Sequence, residues 1–260
     1  MKPARLFKRW CRQQKALLND LVRLLHSCQK RADAEDVHQL RVVTRRLRQI
    51  VRLGAAWYSR RTTRTFRDWS RSISLVTDAI RDADVTLDWL ARQPDATTIA
   101  ARVTRQRARH LRRAQAALPQ FSQRLRRALS KPSGGHRHEQ RLHQRFQQLQ
   151  IRLWQRLRRE TPKFFKLTTE NQHDLRRHVR RWRYLRELEL PGKARAKDSL
   201  LVRLTDLQGV LGERQNLQLL RHTLDDLEGL PNATQLRGRL ESEIRSLERR
   251  LRAQLRWLKG

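Results

Sequence analysis

Across 260 residues the chain offers a single stretch of any length in which Gly, Pro and Ser cluster, Ser130-Lys131-Pro132-Ser133-Gly134-Gly135, and it lies near the midpoint. Gly and Pro together number 16, about half their usual share, and only two Tyr are present. A chain so poor in turn residues cannot make the frequent reversals of a sheet, whereas its 38% hydrophobic content is enough to pack amphipathic helices. The expected fold is therefore all-α. Residues 131–136 read as a hinge between an N-terminal half, 1–130, and a C-terminal half, 137–260.

Helical periodicity fills both halves. Before the hinge it runs over about 4–30, 34–60, 64–93 and 97–118; after it, over about 137–160, 169–189, 198–228 and 233–258. Asp33, followed by Glu35 and Asp36, has the form of an N-cap with acidic residues in the first turn. Thr169-Glu170-Asn171-Gln172 has the spacing of a capping box, and Pro162 and Pro231 mark further starts. The simplest count is a four-helix bundle on each side of the hinge.

The halves also share a motif. Residues 38–48 and 173–183 both fit H-x-L-R-x-x-x-R-R-x-R, six matches in eleven positions at an offset of 135. Ile80-Arg81-Asp82-Ala83-Asp84-Val85 and Arg214-Gln215-Asn216-Leu217-Gln218-Leu219 follow at an offset of 134. An internal duplication of a helical unit accounts for both offsets.

Placed on a helix, the motif separates two chemistries. His38, Arg41, Arg45, Arg48 and Arg52 step by 3, 4, 3 and 4 and form one stripe, with Val37, Leu40, Thr44, Leu47 and Val51 in a second stripe about 100° away. In the second half His173, Arg176, Arg180 and Arg183 repeat the cationic rail, and Leu175, Val179 and Trp182 repeat the packing face. Arg46 and Arg181 lie off the centre of their rails. Like charges on successive turns repel by a few tenths of a kcal/mol per pair, so a rail of this kind is costly unless an anion lies along it. A linear ligand with closely spaced charges fits such a rail better than a compact metabolite does.

The overall charge agrees. Sixty Lys and Arg stand against 25 Asp and Glu, a formal net charge of +35. Fifty of the 60 cations are Arg, whose planar forks grip phosphate oxygens in pairs.

At these residues the chain resembles the CHAD family, the histidine-bearing α-helical domain. The resemblance rests on His38-x-x-Arg41-Val42-x-x-Arg45-Arg46-Leu47-Arg48, Arg81-Asp82-x-Asp84-Val85 and His173-x-x-Arg176 with Arg180-Arg181-Trp182-Arg183-Tyr184. It covers nearly the whole chain. It implies two four-helix bundles related by a pseudo-twofold, a basic channel that binds inorganic polyphosphate, association with polyphosphate granules, and no catalytic activity. The binding residues implied are His38, Arg41, Arg45, Arg46 and Arg48, with His173, Arg176, Arg180, Arg181 and Arg183. The second half departs from the family pattern at His178 and Trp182, and Leu211-Gly212-Glu213-Arg214-Gln215-Asn216 has an amide where the family has an acid.

Other functions find less support in the sequence. Glu187-Leu188-Glu189-Leu190-Pro191 is the nearest string to the Glu-x-Glu-x-Lys signature of a triphosphatase, but it lacks the Lys, and no catalytic set emerges. Asp82 and Asp84 point about 200° apart on a helix, which suits pairing with Arg better than shared metal binding. His136, His138 and His143 have no thiolate nearby, so neither a metal nor another cofactor is expected. Cys11 and Cys28 would lie about 25 Å apart along one helix and cannot pair. The alternative partner is nucleic acid, bound non-specifically at low salt, because no zinc-finger, RNP or helix-turn-helix signature appears. No apolar run spans a membrane, and the basic stretch 245–258 with Trp257 reads as a last bundle helix rather than a membrane-surface anchor. The expected location is cytoplasmic, at polyphosphate granules.

Overall fold

A computed structural model of the chain describes residues 1–121, 129 and 136–256. Residues 131–135 of the expected hinge, and Trp257, lie outside the described residues. Within them the chain is helical, with no strand. Eight long helices follow in order: α1 (Pro3–Lys30), α2 (Ala34–Leu53), α3 (Arg60–Leu90), α4 (Thr97–Ala117), α5 (His136–Glu160), α6 (Thr169–Glu189), α7 (Ser199–Asp225) and α8 (Ala233–Leu255). A single helical turn, Gly192–Arg195, joins α6 to α7, and short 3-10 segments cover Ala55–Trp57, Leu118–Phe121 and Thr161–Lys166.

Helix α2 shows how local sequence sets an element. The Asp33 carboxylate accepts from the Asp36 amide at 2.9 Å, with Glu35 and Asp36 in the first turn. Asp36 in turn accepts from the Ser27 hydroxyl of α1. The helix stops at Leu53, seven residues short of the boundary at 60 that periodicity suggests. The stop lies at Gly54, whose amide bonds Ile50 O at 3.0 Å. Its φ is −89°, so conformation does not demand Gly there. Space does: a β-carbon at Gly54 would overlap the six-membered ring of Trp10. Trp10 itself is fully buried and donates from Nε1 to Ile50 O at 3.0 Å. Helix α3 accordingly begins at Arg60, earlier than the expected 64, because Ser59 caps it by accepting from the Thr62 amide at 3.0 Å.

Helix α6 begins where expected, but by a different device. Thr168, not Thr169, is the N-cap, accepting from the Asn171 amide at 3.3 Å. Gln172 does not reach back to the cap: its amide donates to Phe164 O and Leu167 O, each at 3.1 Å, and so ties α6 to the preceding 3-10 segment.

The chain forms two compact units. One comprises Lys8–Gly135 and Leu219–Arg237, the other Met1–Phe7, His136–Gln218 and Gly238–Gly260. In the first, α2 and α4 both pack against α3. Its core includes Leu21, Leu24, Leu40, Leu47, Ile73, Ile80 and Ile99, all within 1% of full burial. Each such side chain contributes about 1.5–3 kcal/mol on burial. Trp10 stacks obliquely on Trp57, ring centres 5.3 Å apart. In the second unit α5 packs against α6, with Trp154 against Trp182 at 5.3 Å, and Leu142, Leu157, Leu175 and Val179 are completely buried. Arg252 of α8 lies over Phe165, 4.1 Å from its ring centre.

Candidate functional site

The packing stripes expected beside the two rails are buried as read: Val37, Leu40, Thr44, Leu47 and Val51 on α2, and Leu175, Val179 and Trp182 on α6, none more than 4% exposed. Thr44 tolerates that burial because its hydroxyl donates to Leu40 O at 2.7 Å. With those faces fixed, the cationic stripes beside them have a defined direction.

On α2 the rail lies against α3. Arg41 pairs with Asp78 and also donates to Thr77 Oγ1 at 3.2 Å and Ser74 O at 3.3 Å. Arg48 donates from Nε to Ser70 Oγ at 3.1 Å and from Nη2 to Ser70 O at 2.9 Å. Two of the rail's cations are thus held by protein groups. Arg45 and Arg46 are part-buried on the same helix, and Arg52 at its end is exposed. His38 is part-buried too, and its imidazole is pushed below the ordinary histidine range by burial and then by the cation of Arg81, with Glu35 opposing and Arg45 and Arg41 adding smaller downward pushes. Arg81 of α3 is therefore brought to the His38 end of the rail. Its place in the Arg81-Asp82-x-Asp84 string signalled its interest, but sequence did not connect it to His38.

On α6 the balance is different. Arg180 is part-buried and makes no hydrogen bond or ion pair with any described residue. Burial, then the cations of Arg176, Arg181 and Arg177, press its guanidinium down to about 10, with Tyr184 opposing. Four arginines on two adjacent turns of one helix thus act on one another, and Arg180 forms no ion pair with an acid among the described residues. Its neighbours on the rail are less exposed to that imbalance. Arg183 lies over the Tyr184 ring at 5.0 Å and pairs with Glu187 at 3.4 Å. Arg177 pairs with Asp174. Arg176 Nη2 lies 3.6 Å from the point where a β-carbon on Gly212 would sit, so the Leu211-Gly212 string of α7 leaves room for it. His173 is part-buried at the start of the rail, and Arg181 is part-buried beside Arg180.

His178, a departure from the family pattern, is a packing residue with its own partners. It is 7% exposed; its ring bonds Asp174 O through Nδ1 at 2.7 Å and Arg156 Nη1 through Nε2 at 3.3 Å. Arg156 donates only, so Nε2 accepts and Nδ1 carries the proton: this is a neutral imidazole. Burial and Arg156 hold it neutral, down to about 4. Sequence could not show that α5 would place Arg156 opposite it.

The carboxylates noted in the sequence are engaged in structure. Glu189 accepts from Arg186 at 2.6 Å, and Asp84 pairs with Arg107, which also donates to Ala32 O at 3.1 Å. The charge pairing expected of the Asp82-x-Asp84 string is thus met at Asp84. Asp82 is raised by burial, with Arg41 opposing. Cys11 and Cys28 are both free thiols, and Cys28 is pushed up to about 12 by burial and by Asp36 and Asp33. Among the described residues no three His, Cys, Asp or Glu converge on a metal position, and no helix is long and apolar enough to cross a membrane.

Comparison with known proteins agrees with this arrangement at the level of fold. The crystal structure of the CHAD domain from the plant Ricinus communis matches with a TM-score of 0.71 at 22% identity, over 96% of this chain and 91% of that one. No curated protein matches the sequence. The model of the CHAD domain family matches residues 5–225, a span that contains both His-and-Arg motifs and the helices that orient them, and on that match the chain belongs to the CHAD domain family.

Proposed function

We propose that the protein binds inorganic polyphosphate along the cationic faces of α2 and α6, without catalysing its turnover, and that this binding brings it to polyphosphate granules. The observation that carries the reading is Arg180, a part-buried guanidinium surrounded by cations and answered by no acid among the described residues. Such a group is stabilised by an anion from outside, and each charge-assisted hydrogen bond it donates to a phosphate oxygen is worth about 1.5–3 kcal/mol. A chain of phosphates meets several turns of one helix at once, as a single phosphate does not. Membership of the CHAD family supports the choice of ligand.

His38 fits the same role. Depressed by burial and by three arginines, it gains from an anion that screens those cations, so bound polyphosphate raises its pKa toward the ordinary range. Nucleic acid is the competing polyanion, attracted by the same net charge through counterion release at low salt. The test of the rails is the paired reversal Arg45→Glu with Arg180→Glu. Polyphosphate affinity should fall by roughly a hundredfold or more. Unchanged affinity in a folded double variant removes these faces from the site.

A further inference from the structure

Helix α4 carries a second cationic face, separate from both motifs. Arg102, Arg105, Arg109 and Arg112 step by 3, 4 and 3, with Arg113 beside them, so five guanidiniums share a stripe about 100° wide and about 16 Å long. All five are exposed, and none makes a hydrogen bond or ion pair with a described residue. The opposite side of α4 holds it in place: Ile99, Val103 and Ala114 are buried, and Arg107 reaches Asp84 and Ala32 O.

Two further facts set this face apart from general basicity. Every other long helix among those described contains at least one Asp or Glu, and α4 contains none. Arginines three and four apart repel in the absence of a partner, so stability alone would favour acids among them. From Arg102 to Arg113 the stripe also contains no aromatic side chain and no Asn or Gln, only Arg102, Arg105, Arg109, Arg112 and Arg113. It has no platform on which a base could stack and no amide to read a base edge. Its chemistry suits a polyanion without bases.

We propose that the exposed arginine face of α4 binds a second polyphosphate chain, so that one protein molecule bridges two chains. The inference rests on the reading that the α2 and α6 faces hold the first. In the unit that contains α2, helix α3 packs against both α2 and α4, and the α2 rail bonds to α3 at Ser70, Ser74 and Asp78 whereas the five α4 arginines are exposed. A binder with two separate faces gathers chains into a dense phase through multivalency, which a single-site binder does not.

The test uses two populations of short polyphosphate, one labelled with a donor fluorophore and one with an acceptor, mixed with full-length protein. Anisotropy reports binding of a chain and energy transfer reports two chains held together. Wild type should show both. The variant Arg105→Gln, Arg109→Gln, Arg112→Gln, altered only at exposed positions, should keep single-chain affinity within about twofold. Its energy transfer should fall by roughly tenfold. Binding by wild type with no transfer, or full transfer in the variant, overturns the second site and leaves the first reading standing. If the α4 variant abolishes all binding while Arg45→Gln with Arg180→Gln leaves it intact, the motif faces are not the site and α4 is. If RNA at equal charge concentration abolishes transfer without lowering anisotropy, α4 is a nucleic-acid surface and the proposal fails.

Discussion

Arg41 and Arg180 lie one turn apart in the repeated motif, Arg41 at its fourth position in the first copy and Arg180 at its eighth in the second, and the structure treats them differently. Arg41 has Asp78, Thr77 and Ser74 around it, whereas Arg180 has Arg176, Arg181 and Arg177. Replacing Arg180 with Leu should raise the melting temperature of ligand-free protein, by about 1 kcal/mol in stability, and weaken polyphosphate binding by roughly tenfold. Arg41→Gln should instead lower the ligand-free melting temperature, because it leaves Asp78 without its partner. His178 supplies a pH signature. Its neutral form is favoured in the fold, so its contribution is present above the unfolded pKa near 6.5 and is lost as pH falls toward about 4. Wild type should therefore lose on the order of 3 kcal/mol between those values relative to His178→Gln, measured by urea denaturation across that range. The stepping of the rails was legible in the sequence, since spacing by 3 and 4 needs only helical geometry. Which rail residues would meet an acid on a neighbouring helix was not, because Asp78 reaches Arg41 only through the packing of α3 on α2.

At the scale of elements, periodicity located all eight long helices, and most ends fall within three residues of the expected positions. The largest difference, at the end of α2, has a tertiary cause. Gly54 is required by the Trp10 ring from α1, a residue 44 positions away, and no local signal carries that requirement. Gly54→Ala should accordingly destabilise the protein by about 1–3 kcal/mol through overpacking, read as a lower denaturation midpoint. Trp10→Phe in the same background should recover part of the loss, since a smaller ring leaves room for the methyl group. The cap of α6 shows the same limit more mildly: Thr168 and Thr169 are equivalent as sequence, and the bonds from Gln172 to Phe164 O and Leu167 O decide between them.

For the whole molecule, the excess of 60 cations over 25 anions leaves a ligand-free chain working against its own charge. Part of that excess is held internally, as at Arg107 and Arg41, and part is exposed, as at Arg52 and along α4. We propose that the exposed part is organised for a phosphate chain and is not merely attractive to any polyanion. The measurement that tests it most directly is a competition titration of labelled long polyphosphate against RNA and orthophosphate at about 150 mM salt, where general attraction is screened within about 8 Å. Polyphosphate should remain bound at equal charge concentrations of RNA and in excess orthophosphate. Displacement by RNA at equal charge would contradict the account.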